Sequence, residues 1–194
     1  MLNNIGSKTL NTKRLILRPF KLDDATAMFN NWCQDTRVTE YLSWLPHKDI
    51  DETIRVLKMW VEDYQKPHTY HYAIVEKATD NLIGSIGCVD FKERLEACEV
   101  GYCISYEAWG KGYMSEALKE LLTFLFEDVG VRRVYARHAL VNPGSGKVME
   151  KAEMRFEGSH RESFKTHDGK FVDMAHYSIL KKDYYKQYKG DDHE

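Results

Sequence analysis

The chain has 194 residues, of which 43% are hydrophobic, and a formal net charge of −2 from 28 Lys and Arg against 30 Asp and Glu. This length predicts one compact domain with a substantial core, and the balanced charge argues against a generally basic nucleic-acid-binding protein. No apolar run approaches the length of a membrane span, and the opening residues do not resemble a signal peptide. We therefore expect a cytoplasmic protein without membrane association or direct contact with nucleic acid.

The four cysteines, Cys33, Cys88, Cys98 and Cys103, include no Cys-x-x-Cys pair. Three of them lie in apolar, strand-like contexts, which indicates reduced and mostly buried thiols rather than a disulfide framework or a zinc site. We therefore expect no metal site.

Hydrophobic periodicity and turn signals predict the order of helices and strands. A loose lead-in is followed by a strand, two helices, three strands in succession, a helix, a strand, a helix and a final hairpin. The predicted strands span 14–18, 70–75, 82–91, 95–104, 133–139, 156–164 and 170–180, and the predicted helices begin near 22, 50, 113 and 143. Antiparallel neighbours with helices between the later strands indicate an α/β (α+β) fold with a mixed sheet and helices on both of its faces.

Local signals add detail to this outline. Asp49 is expected to cap the second helix, and Gly130 is expected to end the third. Gly84 and Gly87 within a strand indicate a bulge or the close approach of another group. The acidic tail from Gly190 is expected to be disordered.

The most informative stretch runs from Trp109 to Ala117, between a predicted strand and a predicted helix. Gly110 and Gly112 at this junction let backbone N–H groups converge on an anion at the positive end of the helix. A P-loop is excluded, because Gly112 stands where Ser or Thr should follow Lys111, and a dinucleotide fingerprint fails because Ser115 replaces its third glycine. A tight turn without a ligand remains an alternative interpretation.

The neighbourhood of this stretch resembles the acetyl-CoA-binding motif of the GNAT superfamily of N-acetyltransferases, Arg/Gln-x-x-Gly-x-Gly/Ala. Gly112 matches the central glycine, whereas Trp109 replaces Arg/Gln and Met114 replaces the final small residue, with a side chain large enough to narrow the pyrophosphate cradle. Residues 13–19, 142–151 and 177–184 are similar to the ribosomal-protein N-terminal acetyltransferase branch. Glu153 stands where that family usually has glycine, and a positive φ there would cost about 1 kcal/mol.

The resemblance implies a single acetyltransferase domain over residues 1–194, with a core at about 10–185 between a flexible lead-in and a flexible tail. Its fold would be the GNAT mixed, mostly antiparallel central sheet of about seven strands with helices on both faces. Acetyl-CoA would be the cosubstrate, with no metal. The implied cofactor-binding residues are Cys103, Ile104, Trp109, Gly110, Lys111, Gly112, Tyr113, Met114, Ser115 and Asn142.

Within this set, the amides of 110–115 would bind the pyrophosphate, and the main chain around Ile104 would pair with the pantetheine arm. That pairing requires the strand of Cys103 and Ile104 to diverge from the next strand. Asn142 would hydrogen-bond the pantetheine. The alternatives are a solvated turn lysine for Lys111 and a turn or N-cap role for Asn142.

Two catalytic candidates follow from the same resemblance. Many GNAT enzymes use a tyrosine seven residues after the asparagine to protonate the leaving thiolate, but this position is Met149, so Ser145 is the candidate donor. Glu99 would accept the amine proton, directly or through water. Ser145 has a helix-capping role as its alternative, and Glu99 has substrate orientation or an ion pair.

The acceptor would enter over the segment from Tyr41 to Tyr70, where Trp60 and Tyr64 are better explained as core residues. A protein N-terminus of the ribosomal-protein alanine type is favoured over a polyamine, an aminoglycoside or a free amino acid. A non-catalytic acyl-CoA-binding module is the alternative from another functional class. Similar proteins are frequently homodimers, so a homodimer is a further expectation.

Overall fold

The computed structural model describes residues 2–188 and Gly190, which form one sheet with helices on both faces. The strands are β1 (Leu10–Asn11), β2 (Leu15–Arg18), β3 (His71–Glu76), β4 (Asn81–Lys92), β5 (Ala97–Ile104), β6 (Arg133–Ala139), β7 (Arg155–Lys165) and β8 (Phe171–Leu180). The helices are α1 (Ala25–Met28), α2 (Thr36–Thr39), α3 (Ile50–Asp63), α4 (Tyr113–Phe124), α5 (Pro143–Lys151) and α6 (Lys181–Tyr188). Short helical turns extend α1 at both ends and continue α4 to Val129.

The sheet has eight strands in the order β1-β2-β3-β4-β5-β6-β8-β7. All neighbouring pairs are antiparallel except β5 and β6, which are parallel. This confirms the predicted fold class, with β1 as a strand more than the expected number. One core cluster packs α4 and α5 on one face of the sheet, and a second packs α1 and α3 on the other face.

The central feature of the sheet is a gap between β5 and β6. These strands pair over 97–99 only, within the described part of the chain, although both continue for several residues. Ser105, just after β5, donates its N–H to the Ile83 carbonyl of β4 (2.8 Å). This bond identifies the residues of β5 whose backbone N–H and C=O groups face β4. Because alternate residues of a strand direct their backbone groups to opposite sides, Tyr102 and Ile104 turn theirs away from β4, toward the gap.

Several local predictions are confirmed. Asp49 caps α3 by accepting the N–H of Glu52 (3.0 Å), and Gly130 ends the helical turn after α4 at φ +85°. The β3–β4 register shifts beside Gly84, where a Cβ would lie 2.5 Å from the Cys103 carbonyl oxygen. Glu153 does have a positive φ of +61°, so this glutamate occupies a backbone conformation that glycine adopts without strain.

The two ends of the chain differ from the sequence prediction. The lead-in is packed rather than loose, because Leu2 and Ile5 contact the core and Asn3 donates to the Val129 carbonyl. Helix α6 was not predicted; its sequence is polar, and a single buried residue, Tyr184, anchors it to the core. Apart from Gly190, the predicted disordered tail lies outside the described residues.

The prediction of reduced thiols is wrong for one pair of cysteines. Cys88 and Cys98 form a disulfide, whereas Cys33 is free and buried and Cys103 is free and partly buried. Cys88 pairs with Val100 in the β4–β5 register, so Cys98 lies diagonally opposite Cys88 on the same face of the sheet. Spacing in the sequence does not reveal such a cross-strand neighbour. In the described residues, no helix has the length and apolar character of a membrane span.

Candidate functional site

The predicted anion-binding loop joins β5 to α4. Gly110 and Gly112 have φ values of +74° and +78°, and Gly112 is the N-cap of α4. Glu116 donates its N–H to the Gly112 carbonyl (3.1 Å), which begins the hydrogen-bond ladder of the helix. The amides of Tyr113, Met114 and Ser115 precede this bond and have no acceptor within the helix. A Cβ at Gly110 would meet nothing within 4 Å, so the space beside this glycine of the loop is open.

An arginine that is distant in sequence binds both this loop and the first turn of α4. Arg14, just before β2, pairs its Nε with Glu116 Oε2 (2.7 Å) and donates through Nη1 to the Lys111 carbonyl (3.0 Å). The Arg14 backbone N–H and the Thr12 hydroxyl both donate to the other Glu116 oxygen. These bonds, with desolvation opposing them, lower the pKa of Glu116, so the carboxylate stays charged beneath the first turn of α4.

The side chains of the loop point in different directions. Met114 is 5% exposed and lies in the core with Ala117 and Leu118, so its side chain does not narrow the cradle. Tyr113 donates its hydroxyl to Glu76, and Ser115 is buried. Lys111 is exposed. The loop therefore presents mainly main-chain N–H groups to its outer side, with Lys111 as the nearby positive charge.

Trp109 connects this loop to the gap. Its indole N–H donates to the Ile104 carbonyl (3.0 Å) at the end of β5, so this carbonyl is occupied while the Ile104 N–H remains directed at the gap. Cys103, the other predicted cofactor-binding residue of this strand, lies differently from Ile104. Strand alternation directs its backbone groups to β4, and its side chain packs against the α1–α3 cluster. Ile104, rather than Cys103, therefore faces the gap.

The other side of the gap is the start of α5. The Asn142 side chain accepts the Ser145 N–H (3.3 Å) and is the N-cap of this helix. Tyr102 reaches across from β5, with its hydroxyl 3.1 Å from Ser145 Oγ and 3.0 Å from the Ser145 carbonyl oxygen. The structure thus brings Asn142 and Ser145 together with a third residue, Tyr102, that the sequence analysis did not select.

Glu99 lies on the opposite face of β5 from Tyr102. Its carboxylate pairs with Arg137 Nε of β6 (2.9 Å), and its side chain is only 14% exposed. His176 of β8 is opposite Arg137 in the sheet register and packs against His160, with the two rings tilted and their centroids 4.0 Å apart. Burial lowers the pKa of His176, and His160 and Arg137 lower it further, whereas the carboxylates of Glu99 and Glu157 oppose this shift.

Sequence reasoning missed Tyr102, Arg137 and His176, which come from three different strands. Alternation along β5 and β6 would have predicted the faces of Tyr102 and Arg137, but the pairing of β6 with β8 is a long-range feature.

For the acceptor segment, the core interpretation of Tyr64 and Trp60 is confirmed. Tyr64 donates its hydroxyl to the His71 carbonyl (2.8 Å), and Trp60 packs edge-on against the His71 ring.

The arrangement has two sides with different chemistry. On the face with α4 and α5, main-chain amides and the hydroxyl of Ser145 can bind an anionic, extended ligand that reaches the gap. On the opposite face, the Glu99 carboxylate and the His176 imidazole are side chains that can accept a proton. A thioester whose carbonyl lay in the gap would therefore have hydrogen-bond donors on one side and proton acceptors on the other.

Comparison with known proteins agrees with this geometry. Residues 14–155 match the family described as the acetyltransferase (GNAT) domain. The uncharacterized N-acetyltransferase p20 of Bacillus licheniformis is 29% identical over 177 residues, which cover 91% of this chain and 98% of the relative.

Two solved structures share the fold. The ribosomal-protein-S5-alanine acetyltransferase of Vibrio fischeri has a TM-score of 0.79 and 20% identity, covering 91% of this chain and 98% of that structure. The microcin C7 self-immunity acetyltransferase MccE, solved in complex with acetyl-CoA and AMP, has a TM-score of 0.78 and 18% identity, covering 87% and 93%. The family matches most of the length of the chain, and the glycine loop at the start of α4 lies beside the gap between β5 and β6. The chain therefore belongs to the GNAT family of N-acetyltransferases.

Proposed function

We propose that this enzyme transfers the acetyl group of acetyl-CoA to the primary amine of a protein N-terminus, of the ribosomal-protein alanine type, by direct attack of the amine on the thioester. The observation that carries the proposal is the gap between β5 and β6, with the glycine loop and Ser145 on one side and Glu99 on the other. The whole reaction would take place in one acetyltransferase domain, residues 1–194, with its core at about 10–185.

The pyrophosphate would bind the outer side of the glycine loop. Amides of 110–115 would donate to its oxygens at the positive end of α4, with Lys111 adding charge and Trp109 fixing the exit of β5. The free N–H of Ile104 would hydrogen-bond the thioester carbonyl and favour the negative charge that develops there. Because Asn142 Oδ1 already caps α5, its side-chain NH₂ group would bind the pantetheine.

Glu99 would accept the proton of the attacking amine. Arg137 holds one carboxylate oxygen, which leaves the second oxygen to face the acceptor directly or through water. A primary amine in water is mostly protonated, so a proton acceptor on the approach side produces the nucleophilic form where it is needed.

Ser145 would act on the departing sulfur. Its hydroxyl lies at the gap beside the N-terminus of α5, on the face opposite Glu99. The amine and the leaving group of an acyl transfer occupy different sides of the reacting carbonyl, so placing the two groups on opposite faces suits a direct displacement.

The ribosomal-protein acceptor rests on two forms of support. Residues 13–19, 142–151 and 177–184 resemble that branch, and the Vibrio fischeri neighbour acetylates ribosomal protein S5 alanine according to its name. A small amine, such as a polyamine, an aminoglycoside or a free amino acid, is the second acceptor class.

An acceptor panel tests the proposed function. Acetyl-CoA and the enzyme are mixed with peptides that begin with alanine, with the same peptides carrying an N-terminal formyl group, and with polyamines, aminoglycosides and amino acids, and released CoA is measured. We expect release with the free alanine peptides and none with the formylated ones. Turnover confined to small amines would overturn the peptide assignment, and binding of acetyl-CoA without turnover on any acceptor would indicate a non-catalytic acyl-CoA-binding module.

A further inference from the structure

Tyr102 and Ser145 form a hydrogen-bonded pair across the gap. Tyr102 comes from the part of β5 beyond its last pairing with β6, and Ser145 comes from the first turn of α5. The two hydroxyl oxygens are 3.1 Å apart, and the Tyr102 oxygen is also 3.0 Å from the Ser145 carbonyl oxygen. A single phenol therefore contacts both the side chain and the main chain of the serine.

The donors and acceptors of this pair can be assigned from their chemistry. A carbonyl oxygen only accepts, so the proton of the Tyr102 hydroxyl is directed to the Ser145 carbonyl. The Ser145 N–H is already donated to Asn142 Oδ1. The backbone of Ser145 is thus held at both its N–H and its carbonyl, and the hydroxyl proton of Ser145 is the one that can still rotate toward a ligand.

We infer that Tyr102 is a positioning residue that fixes Ser145 so that its hydroxyl donates a hydrogen bond to the leaving thiolate. This inference rests on the proposed function. In the reaction, the amine nitrogen forms the new C–N bond and the C–S bond breaks with its electron pair on sulfur. The amine proton passes to Glu99 and then to solvent, Ser145 keeps its own proton, and the thiolate takes a proton from water after it leaves.

The acidities of the two hydroxyls explain why a hydrogen bond, and not a proton, is given. Burial raises the pKa of Tyr102 well above its ordinary value, although its bond to Ser145 opposes that rise. A serine hydroxyl is a weaker acid than a thiol, so neither group can protonate a CoA thiolate in a favourable step. A neutral donor aimed at developing negative charge stabilises it without losing a proton.

A bridge that only holds α5 against the sheet is the competing explanation, and the chain supplies a matched control for it. Tyr177 of β8 also joins a strand to α5, through a hydroxyl bond to Glu150 (3.3 Å), but at the far end of the helix from the gap. Tyr177→Phe removes a hydroxyl that joins α5 to the sheet and leaves the contacts of Ser145 unchanged.

The kinetic test compares Tyr102→Phe, Ser145→Ala and the double variant with Tyr177→Phe. We expect each of the first two to lower kcat about tenfold while KM for acetyl-CoA stays within about twofold, and the double variant to lose no more than either single one. Tyr177→Phe should retain wild-type kcat, and the pH profile of Tyr102→Phe should keep its shape. Independent losses that multiply in the double variant, or an equal loss in Tyr177→Phe, would overturn the inference.

A binding test separates failure of this inference from failure of the proposed acceptor. The thiol of bound CoA is titrated by the ultraviolet absorbance of its thiolate, with no amine present. We expect it to ionise about one pH unit lower on the wild-type enzyme than on Tyr102→Phe, because the pair stabilises the thiolate. An unchanged titration would overturn the role of Tyr102, whereas a shifted titration with no peptide turnover would overturn only the acceptor assignment.

Discussion

The two sides of the gap are built in different ways. The side with the glycine loop depends on backbone conformation, with Gly110 and Gly112 at positive φ and the first amides of α4 without helical acceptors. The acceptor side depends on side chains, with Glu99, Arg137 and His176 contributed by three strands. A site made from contiguous backbone can be found in a sequence, whereas a site assembled by strand pairing needs the fold.

The largest predicted effect is on the acceptor side. Glu99→Gln preserves shape but removes the proton acceptor, so kcat should fall by a factor of about 10³ while acetyl-CoA affinity is unchanged. Steady-state kinetics with an alanine peptide and calorimetry with acetyl-CoA measure the two quantities. The control is Asp90→Asn, which neutralises the carboxylate opposite Glu99 in the β4–β5 register and should leave kcat near wild type. Loss of activity in Asp90→Asn and not in Glu99→Gln would reassign the base.

The second prediction concerns the free energy of unfolding of the protein and a histidine that packs against Trp60 of the α1–α3 cluster. Burial lowers the pKa of His71 to about 4, and the ring contacts Ser85 Oγ (2.7 Å) and Trp60. The His71 imidazole binds a proton near pH 6.5 in the unfolded chain but only near pH 4 in the folded protein. Its contribution to the free energy of unfolding is therefore complete above pH 6.5 and is lost as the pH falls toward 4. The loss should reach about 3 kcal/mol.

Urea unfolding between pH 7 and pH 4.5 measures this dependence. His71→Gln should flatten the decline, whereas His68→Gln, which changes an exposed imidazole, should keep it. An unaltered slope in His71→Gln would show that other groups control stability in acid.

The third prediction concerns the glycine loop. Gly112→Ala places a side chain at φ +78° at the N-cap of α4, where left-handed backbone costs about 1–2 kcal/mol, and displaces the amides that would hold the pyrophosphate. KM for acetyl-CoA should rise about tenfold, since about 1.4 kcal/mol of lost binding corresponds to that factor. Gly6→Ala introduces an alanine at a similar φ of +68° far from the loop, and it should affect stability without changing KM.

The smallest predicted effect is that of the arginine beneath the loop. Arg14→Lys keeps the charge but loses the fork that binds both Glu116 and the Lys111 carbonyl. The Arg14 side chain is 42% exposed, so we expect a rise in KM for acetyl-CoA of only about threefold. Arg155→Lys, which alters the surface pair with Asp183, is the control and should leave KM unchanged. A large fall in kcat for Arg14→Lys would contradict a purely supporting role.

Sequence reasoning predicted the elements whose signals are local. The glycine turn, the Asp49 cap, the Gly130 helix end and the strand Arg133–Ala139 all depend on neighbouring residues, and all four are present. Met114 shows the limit of motif comparison, because its size suggested a narrowed cradle while its place on the apolar face of α4 directs it into the core.

The features that a single sequence does not reveal depend on pairing between distant segments. The Cys88–Cys98 disulfide follows from the β4–β5 register, and the Tyr102–Ser145 bond follows from the packing of α5 beside the end of β5. The cofactor role of Cys103 stays a prediction from the family resemblance, and the β4–β5 register turns its backbone groups toward β4. Single-sequence patterns do not contain these registers.

The central claim is that the glycine loop binds acetyl-CoA and that Glu99 acts on the acceptor. It is tested most directly by calorimetric titration of acetyl-CoA into three proteins: the wild type, Gly112→Ala and Glu99→Gln. We predict that Glu99→Gln binds acetyl-CoA as tightly as the wild type although its turnover is nearly lost, and that Gly112→Ala binds about tenfold more weakly. Wild-type affinity in Gly112→Ala, or weakened affinity in Glu99→Gln, would contradict the assignment of the glycine loop to the cosubstrate and of Glu99 to the acceptor.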